Sequence, residues 1–180
     1  MSVQFLSTEP CHWQHASDIH LKPLVGDWLL DEKSLTAKLS ALPGTFSVEL
    51  IGQAVATPFA NERSEFPQQT HFIIREVLLK LDEQPFVFAR SVFPISAADH
   101  ENLNLGELGT QSLGQSLFNQ SDLKRSTFEV TQLPLDHGVS QINRHYYQQN
   151  EAIWGRRSLF NTQGQHVLVS EFFLSPVPIY

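Results

Sequence analysis

Three charged side chains, Arg75, Arg90 and Glu171, stand in runs that are otherwise apolar and β-rich, and Glu76 is the neighbour of the first. Period-2 counting along His71–Lys80 puts Arg75 on one face with Ile73, Val77 and Leu79, and Glu76 on the other with Phe72, Ile74 and Leu78. The same count sets Arg90 beside Phe86, Phe88 and Val92, and Glu171 beside Val167, Val169 and Phe173. A buried charge without a partner costs several kcal/mol, so each group needs a counter-ion or a polar cavity. Cross-strand Arg–Glu pairs satisfy that need; so does one cavity shared by all three. In a shared cavity, two guanidinium forks and a carboxylate suit a small dianion that also carries a hydroxyl.

Two further segments bear on an anion site. Ser112 precedes a short apolar run and reads as a helix N-cap, so the free N–H groups after it point to an anion or to an ordinary cap. In Trp154–Arg157, alternation sends Arg156 and Arg157 to opposite faces, so at most one enters the cavity and the other is expected at the surface. Other chemistries are excluded. The sequence holds no G-x-x-x-x-G-K-[ST] or G-x-G-x-x-G loop and no G-x-S-x-G elbow. Its eight histidines include no H-x-x-x-H or H-E-x-x-H spacing, so no metal site is expected, and Cys11 is not placed to be a nucleophile.

The elements that would carry these residues read as follows. Residues 1–23 are irregular. Gly26–Leu42 is helical, with Asp27 as a possible cap and Ser34 as the start of a second short helix. Phe46–Val55 alternates as a strand with a bulge at Gly52. Residues 57–70 form a polar loop. His71–Lys80 and Phe86–Pro94 make an antiparallel hairpin, and Ile153–Phe160 with Gln165–Leu174 makes a second. Phe128–Leu133 adds a strand, and 134–150 reads as a long loop or a loop with a small helix. The sum is one α+β domain over residues 1–180, with a mostly antiparallel sheet.

Length and composition agree. A chain of 180 residues is of single-domain size, and 41% hydrophobic content excludes a disordered chain. One cysteine excludes a disulfide framework. A net charge of −7 argues against nucleic acid as a partner, so an anionic ligand would need locally placed arginines. The N-terminus has no secretory pattern and no run is apolar enough to span a membrane, so a cytoplasmic protein without membrane insertion is expected.

Taken in order, the runs Asp27–Leu30 (DWLL), Ser34–Thr36 (SLT), Arg75–Leu79 (REVLL), Ala89–Ser96 (ARSVFPIS), Ser112–Phe118 (SLGQSLF), Trp154–Ser158 (WGRRS) and Ser170–Leu174 (SEFFL) resemble the chorismate pyruvate-lyase family. The resemblance implies an antiparallel sheet with helices packed on one side, enclosing an internal ligand cavity. It implies release of pyruvate from chorismate to give 4-hydroxybenzoate for ubiquinone biosynthesis, by a monomer without metal or organic cofactor. Carried over by position, it assigns Arg75 and Glu171 to the ligand and the backbone N–H groups of Leu35 and Leu113 to its ring carboxylate. Arg90 is assigned to the pyruvyl carboxylate. The connection from Leu133 to Trp154 is longer than in compact members. A non-catalytic binding domain of the same fold, like the effector-sensing domains of transcription regulators, is the alternative; it lacks support from any basic helix-turn-helix segment in residues 1–44.

Overall fold

The structure is a computed structural model and describes residues 3–180. Its strands are β1 (Gln14–His15), β2 (Phe46–Val55), β3 (Phe72–Leu81), β4 (Gln84–Pro94), β5 (Lys124–Arg125), β6 (Glu129–Leu133), β7 (Ile153–Thr162) and β8 (Gln165–Phe173). They form one antiparallel sheet in the order β1-β6-β7-β8-β4-β3-β2, with β5 also paired to β7. The helices are α1 (Pro23–Leu29), α2 (Leu35–Ser40), α3 (Ala60–Arg63), α4 (Ile95–Ala98), α5 (Leu113–Phe118) and α6 (Gly138–Tyr147).

The hairpin β3–β4 sets the distribution of charge. Its two-residue turn, Asp82-Glu83, has positive φ at both positions, and the pairing starts with Leu81 opposite Gln84 and Lys80 opposite Pro85. Had that register continued, Arg75 would lie opposite Arg90. A bulge at Phe86 adds one residue to β4, so Leu79 pairs with Val87, Arg75 with Ser91 and Glu76 with Arg90. Directly paired residues share a face. Arg75 and Arg90 are thereby sent to opposite faces of the sheet.

Four helices gather over the face of Arg75. Trp28, Leu29, Leu35 and Leu39 of α1 and α2 pack on Val77, Leu79, Val87 and Phe173. Helices α4 and α5 pack on Phe93, Phe160 and Val169. The second face is covered too. Helix α6 packs on Leu78, Phe88 and Phe172, and Phe66 after α3 packs on Phe72 and Ile74. The N-terminal segment crosses this face near Gly52, where an added Cβ would lie 2.5 Å from Val3 Cγ1.

Several expectations are corrected. Helix α1 starts earlier than expected: Lys22 occupies its N-cap position and Pro23 its first turn, rather than Asp27 acting as cap. The stretch 134–150, expected as a long loop or a loop with a small helix, carries the ten-residue α6. His137 caps it, accepting from the Val139 N–H at 3.2 Å, and Val139 and Ile142 are buried one turn apart. Its many polar residues obscured that spacing. Residues 57–70 include α3. Among the described residues before α1, Gln14–His15 pairs with β6 and Ala16–Asp18 forms a 3₁₀ turn, and the rest carries no helix or strand; residues 1 and 2 of the expected irregular segment lie outside the described residues.

On the second face Arg90 forms a buried ion triad. It donates to both Glu62 carboxylate oxygens, at 2.7 and 3.0 Å, and to Glu76 at 3.0 Å. Glu76 also accepts from the Leu6 and Ser7 amides, tying the N-terminal segment to the sheet. Burial pushes the Glu76 carboxyl up, against the pull of these donors. Burial also opposes the Arg90 charge, but the two carboxylates outweigh it and raise its pKa. Replacing Arg90 by Ala leaves two carboxylates buried without their cation. The expected loss is about 3–5 kcal/mol of unfolding free energy, measured by urea denaturation. A variant as stable as the parent would show that the triad does not hold this face together.

Candidate functional site

Between the sheet and helices α2 and α5 lies an enclosed cavity of about 40 Å³. Its roof is built from two similar pieces. Each helix has six residues, a serine N-cap and a buried Leu pair at i and i+4: Leu35 and Leu39 in α2, Leu113 and Leu117 in α5. Ser34 accepts from the Ala37 N–H and Ser112 from the Gln115 N–H, so each first turn is set by its own cap. The Thr36 and Ser112 hydroxyls meet at 2.6 Å and join the two helices. Leu35 and Leu113 occupy the first helical position, where the backbone N–H has no partner within the helix. Both line the cavity.

Strands supply the charges of the floor. Arg75 on β3 is almost wholly buried and donates only to neutral acceptors: Gln53 Oε1 at 2.9 Å, Gly109 O at 2.9 Å and Gln111 O at 3.0 Å. Burial pulls its pKa below the ordinary arginine value. The bulge at Ile51 in β2 is what sets Gln53 opposite it. Glu171 on β8 accepts from Arg156 Nε at 2.6 Å. Arg156 on β7 also donates to the carbonyls of Trp28, Leu29 and Asp31, at and just beyond the C-terminal end of α1. Arg125 on β5 completes the set, lying between the rings of Phe128 and Phe160 at 4.1 and 4.7 Å. Burial above all pulls Arg125 down to about 10, so it stays cationic at neutral pH. Three guanidiniums and one carboxylate give the inner lining two net positive charges, and the exposed Lys33 at its rim adds a third.

Arg75, Glu171, Leu35 and Leu113 all line this one cavity. Arg90 does not: it lies across the sheet, bound to Glu62 and Glu76, because the β4 bulge reversed its face. Arg156 is the residue of its pair that enters the cavity. Arg157, expected at the surface, is buried on the other face and donates to Glu129 at 2.6 Å and to Asn61 O at 3.1 Å. The sequence reading missed Arg125 and Gln53. Lys124-Arg125 lies in a polar stretch with no apolar alternation, so nothing marked it as a strand. A polar groove, which includes Ser47, Gln115 and Asn119, shares Val48, Gln111 and Ser112 with the cavity and lies outside it.

The chorismate lyase family model matches residues 8–180. The chain belongs to the chorismate lyase family. It is 40% identical over 186 residues to the "Probable chorismate pyruvate-lyase" of Idiomarina loihiensis, covering 100% of this chain and 96% of that protein. It is 39% identical over 156 residues to the protein of the same description from Psychromonas ingrahamii, covering 86% and 84%. Among solved structures, the ligand-binding domain of a putative GntR-family regulator from Bordetella bronchiseptica superposes with TM-score 0.53 at 9% identity, covering 75% of this chain and 87% of that one. The effector domain of PhnF from Mycobacterium smegmatis gives TM-score 0.52 at 8% identity, covering 73% and 82%. These likenesses show a shared fold.

Among the described residues no three His, Cys, Asp or Glu side chains form a metal-holding group, and no helix is long and apolar enough to cross a membrane. Cys11 lies on the second face, with its sulfur 3.7 Å from His137 Nε2. Burial, then the Glu62 charge, pushes its thiol up to about 12. At pH 8 that leaves about one thiolate in 10⁴. Iodoacetamide should label Cys11 at least ~10²-fold more slowly in the folded protein than in denaturant; equal rates would show that the thiol is not held in this state.

Proposed function

We propose that this protein is a chorismate pyruvate-lyase, releasing pyruvate from chorismate to give 4-hydroxybenzoate for ubiquinone biosynthesis. The observation that carries the reading is the match between ligand and lining. Chorismate bears two carboxylates and a ring hydroxyl; the cavity offers three guanidiniums, with Lys33 at its rim, and one largely buried carboxylate acceptor.

The chemistry asks little covalent work of the protein. The bond from the ring to the ether oxygen breaks, and the hydrogen on the hydroxyl-bearing carbon leaves. The ring becomes aromatic, and the released enolpyruvate takes up a proton as it becomes pyruvate. Aromatisation supplies the driving force, so the protein acts by holding the reacting conformer and balancing charge. In this reading the remaining N–H groups of Arg75, with the Leu35 and Leu113 amides, hold the ring carboxylate. Glu171 faces the hydroxyl, and Arg156 holds that carboxylate in place at 2.6 Å. The roof helices and apolar walls exclude water, which strengthens each of these contacts. The protein works as a cytoplasmic monomer without metal or organic cofactor.

The deciding experiment mixes pure protein with chorismate, without added metal or nucleotide, and follows 4-hydroxybenzoate absorbance and pyruvate. Product formation supports the lyase. Tight binding of 4-hydroxybenzoate without turnover would favour the non-catalytic binding domain.

Two substitutions test the assigned roles. Arg75→Ala should weaken 4-hydroxybenzoate binding by roughly 10–10²-fold, the worth of a lost charged hydrogen bond of about 1.5–3 kcal/mol. Arg75→Lys should recover only part, because an ammonium lacks the planar fork. A folded Arg75→Ala protein with parental affinity would remove this residue from the ligand. Glu171→Gln keeps the shape but removes the charge. If Glu171 moves a proton, single-turnover rate should fall roughly 10²–10⁴-fold while product affinity changes far less. If it only orients the hydroxyl, both should fall together and modestly. A variant unchanged in both would leave Glu171 as no more than the counter-ion of Arg156.

A further inference from the structure

With Arg90 on the far side of the sheet, the second carboxylate of the substrate has no assigned partner. Arg75 and Arg156 are already engaged. Arg156 is matched by Glu171 at 2.6 Å, and its NH1 group is filled by three carbonyls at 2.9–3.2 Å around the end of α1. It closes α1 onto the sheet and compensates Glu171. Arg75 lies on β3, at one end of the cavity floor, with Glu171 two strands away on β8.

Arg125 is differently placed. Its Nε donates to Ser158 Oγ at 2.7 Å, which fixes the side chain from the neighbouring strand. Phe128 and Phe160 hold the guanidinium between their rings. Its other contacts are weak: Glu32 O at 3.5 Å, and Glu171 Oε2 at 3.9 Å, beyond hydrogen-bond reach. Among the described residues, most of its donor fork therefore has no acceptor, although the group is largely buried and lines the cavity. A guanidinium that is largely buried, fixed in orientation and no nearer than 3.9 Å to a carboxylate that Arg156 already bonds is organised for an anion that arrives with the ligand.

The order of the strands indicates which anion. Going across the sheet, the floor presents Arg75 (β3), Glu171 (β8), then Arg156 and Arg125 (β7 and β5). A ring whose carboxylate is at Arg75 and whose hydroxyl is at Glu171 carries its enolpyruvyl ether on the carbon next to that hydroxyl. The ether then lies at the Glu171 end of the cavity, where Arg125 is. We infer that Arg125 binds the enolpyruvyl carboxylate of chorismate, so that it distinguishes substrate, with two carboxylates, from product, with one. Ser158 and the two phenylalanine rings are its positioning residues. The inference rests on the lyase reading above and adds to it the group that recognises the departing half of the substrate.

The test compares two ligands on one protein. Arg125→Gln should lower kcat/KM for chorismate about 10²-fold or more, while the Kd for 4-hydroxybenzoate stays within about threefold of the parent. Arg125→Lys keeps the charge but not the fork, and should lie between the two in kcat/KM with product affinity again unchanged. Retained product binding also reports that the cavity has folded, and if the Gln variant does not fold, the Lys variant is read by the same two numbers. A kcat/KM within threefold of the parent in the folded variants would overturn the inference. So would a product affinity that falls in step with kcat/KM, which would make Arg125 a support for the whole cavity. A parent protein that produces no pyruvate from chorismate would instead remove the lyase reading, and this inference with it.

Discussion

Antiparallel register decides where every charge in this protein goes. A pleated strand alternates its side chains between two faces, so one extra residue reverses the face of everything beyond it. The bulge at Phe86 does this in β4, and the bulge at Ile51 does it in β2. The first separates Arg75 from Arg90, which an unbroken ladder would set opposite one another. The second sets Gln53 beside Arg75 as a neutral acceptor. The result is a sheet whose faces carry charge for different purposes: ion triads and pairs on one side, an electropositive cavity on the other.

The two faces also balance their charges differently. On the second face the buried arginines meet carboxylates directly, Arg90 with Glu62 and Glu76, and Arg157 with Glu129. These pairs fasten the N-terminal segment and the α3 region across the sheet. In the cavity there is one carboxylate for three guanidiniums, and Arg156 takes it. Arg75 is left with carbonyl acceptors, and Arg125 with Ser158, two aromatic faces and Glu171 no nearer than 3.9 Å, so neither guanidinium has a hydrogen-bonded carboxylate. Such an arrangement is unfavourable in the empty protein and favourable with a dianion in place. It also explains how a chain of net charge −7 can hold an anionic ligand: the positive charges are concentrated in a low-dielectric enclosure, where local contacts outweigh the distant surface field.

The roof is held by much weaker means than the floor. Helices α2 and α5 have six residues each, too short to be stable alone. They depend on serine caps, on leucines buried against the sheet, and on one hydroxyl–hydroxyl contact between Thr36 and Ser112. In the proposed reading, a charged floor on strands under a lightly fastened roof suits a cavity that admits one ligand and releases two products.

Much of this was legible in the amino-acid order, because strand alternation and serine caps are local signals. Period 2 placed Arg75 and Glu171 on faces with apolar neighbours, and Ser34 and Ser112 marked two helix starts that the structure contains. The order of short motifs was enough to name the family. Three things were decided only in three dimensions. The face of Arg90 depended on a bulge that a count within one strand cannot detect, since it changes the pairing and not the alternation on either side. Arg125 became a cavity residue because a two-residue strand pairs with β7, an interaction across more than thirty residues with no local periodicity to announce it. The length of helix α6, read only as a loop or a small helix, was obscured because its buried face includes Ser140 and Asn143, whose burial is made possible by tertiary partners such as Pro134 O and Ser175. The sequence by itself determined which residues alternate, cap and turn. Which charges share a cavity was settled by register and distant pairing, because those depend on where two strands meet rather than on what either contains.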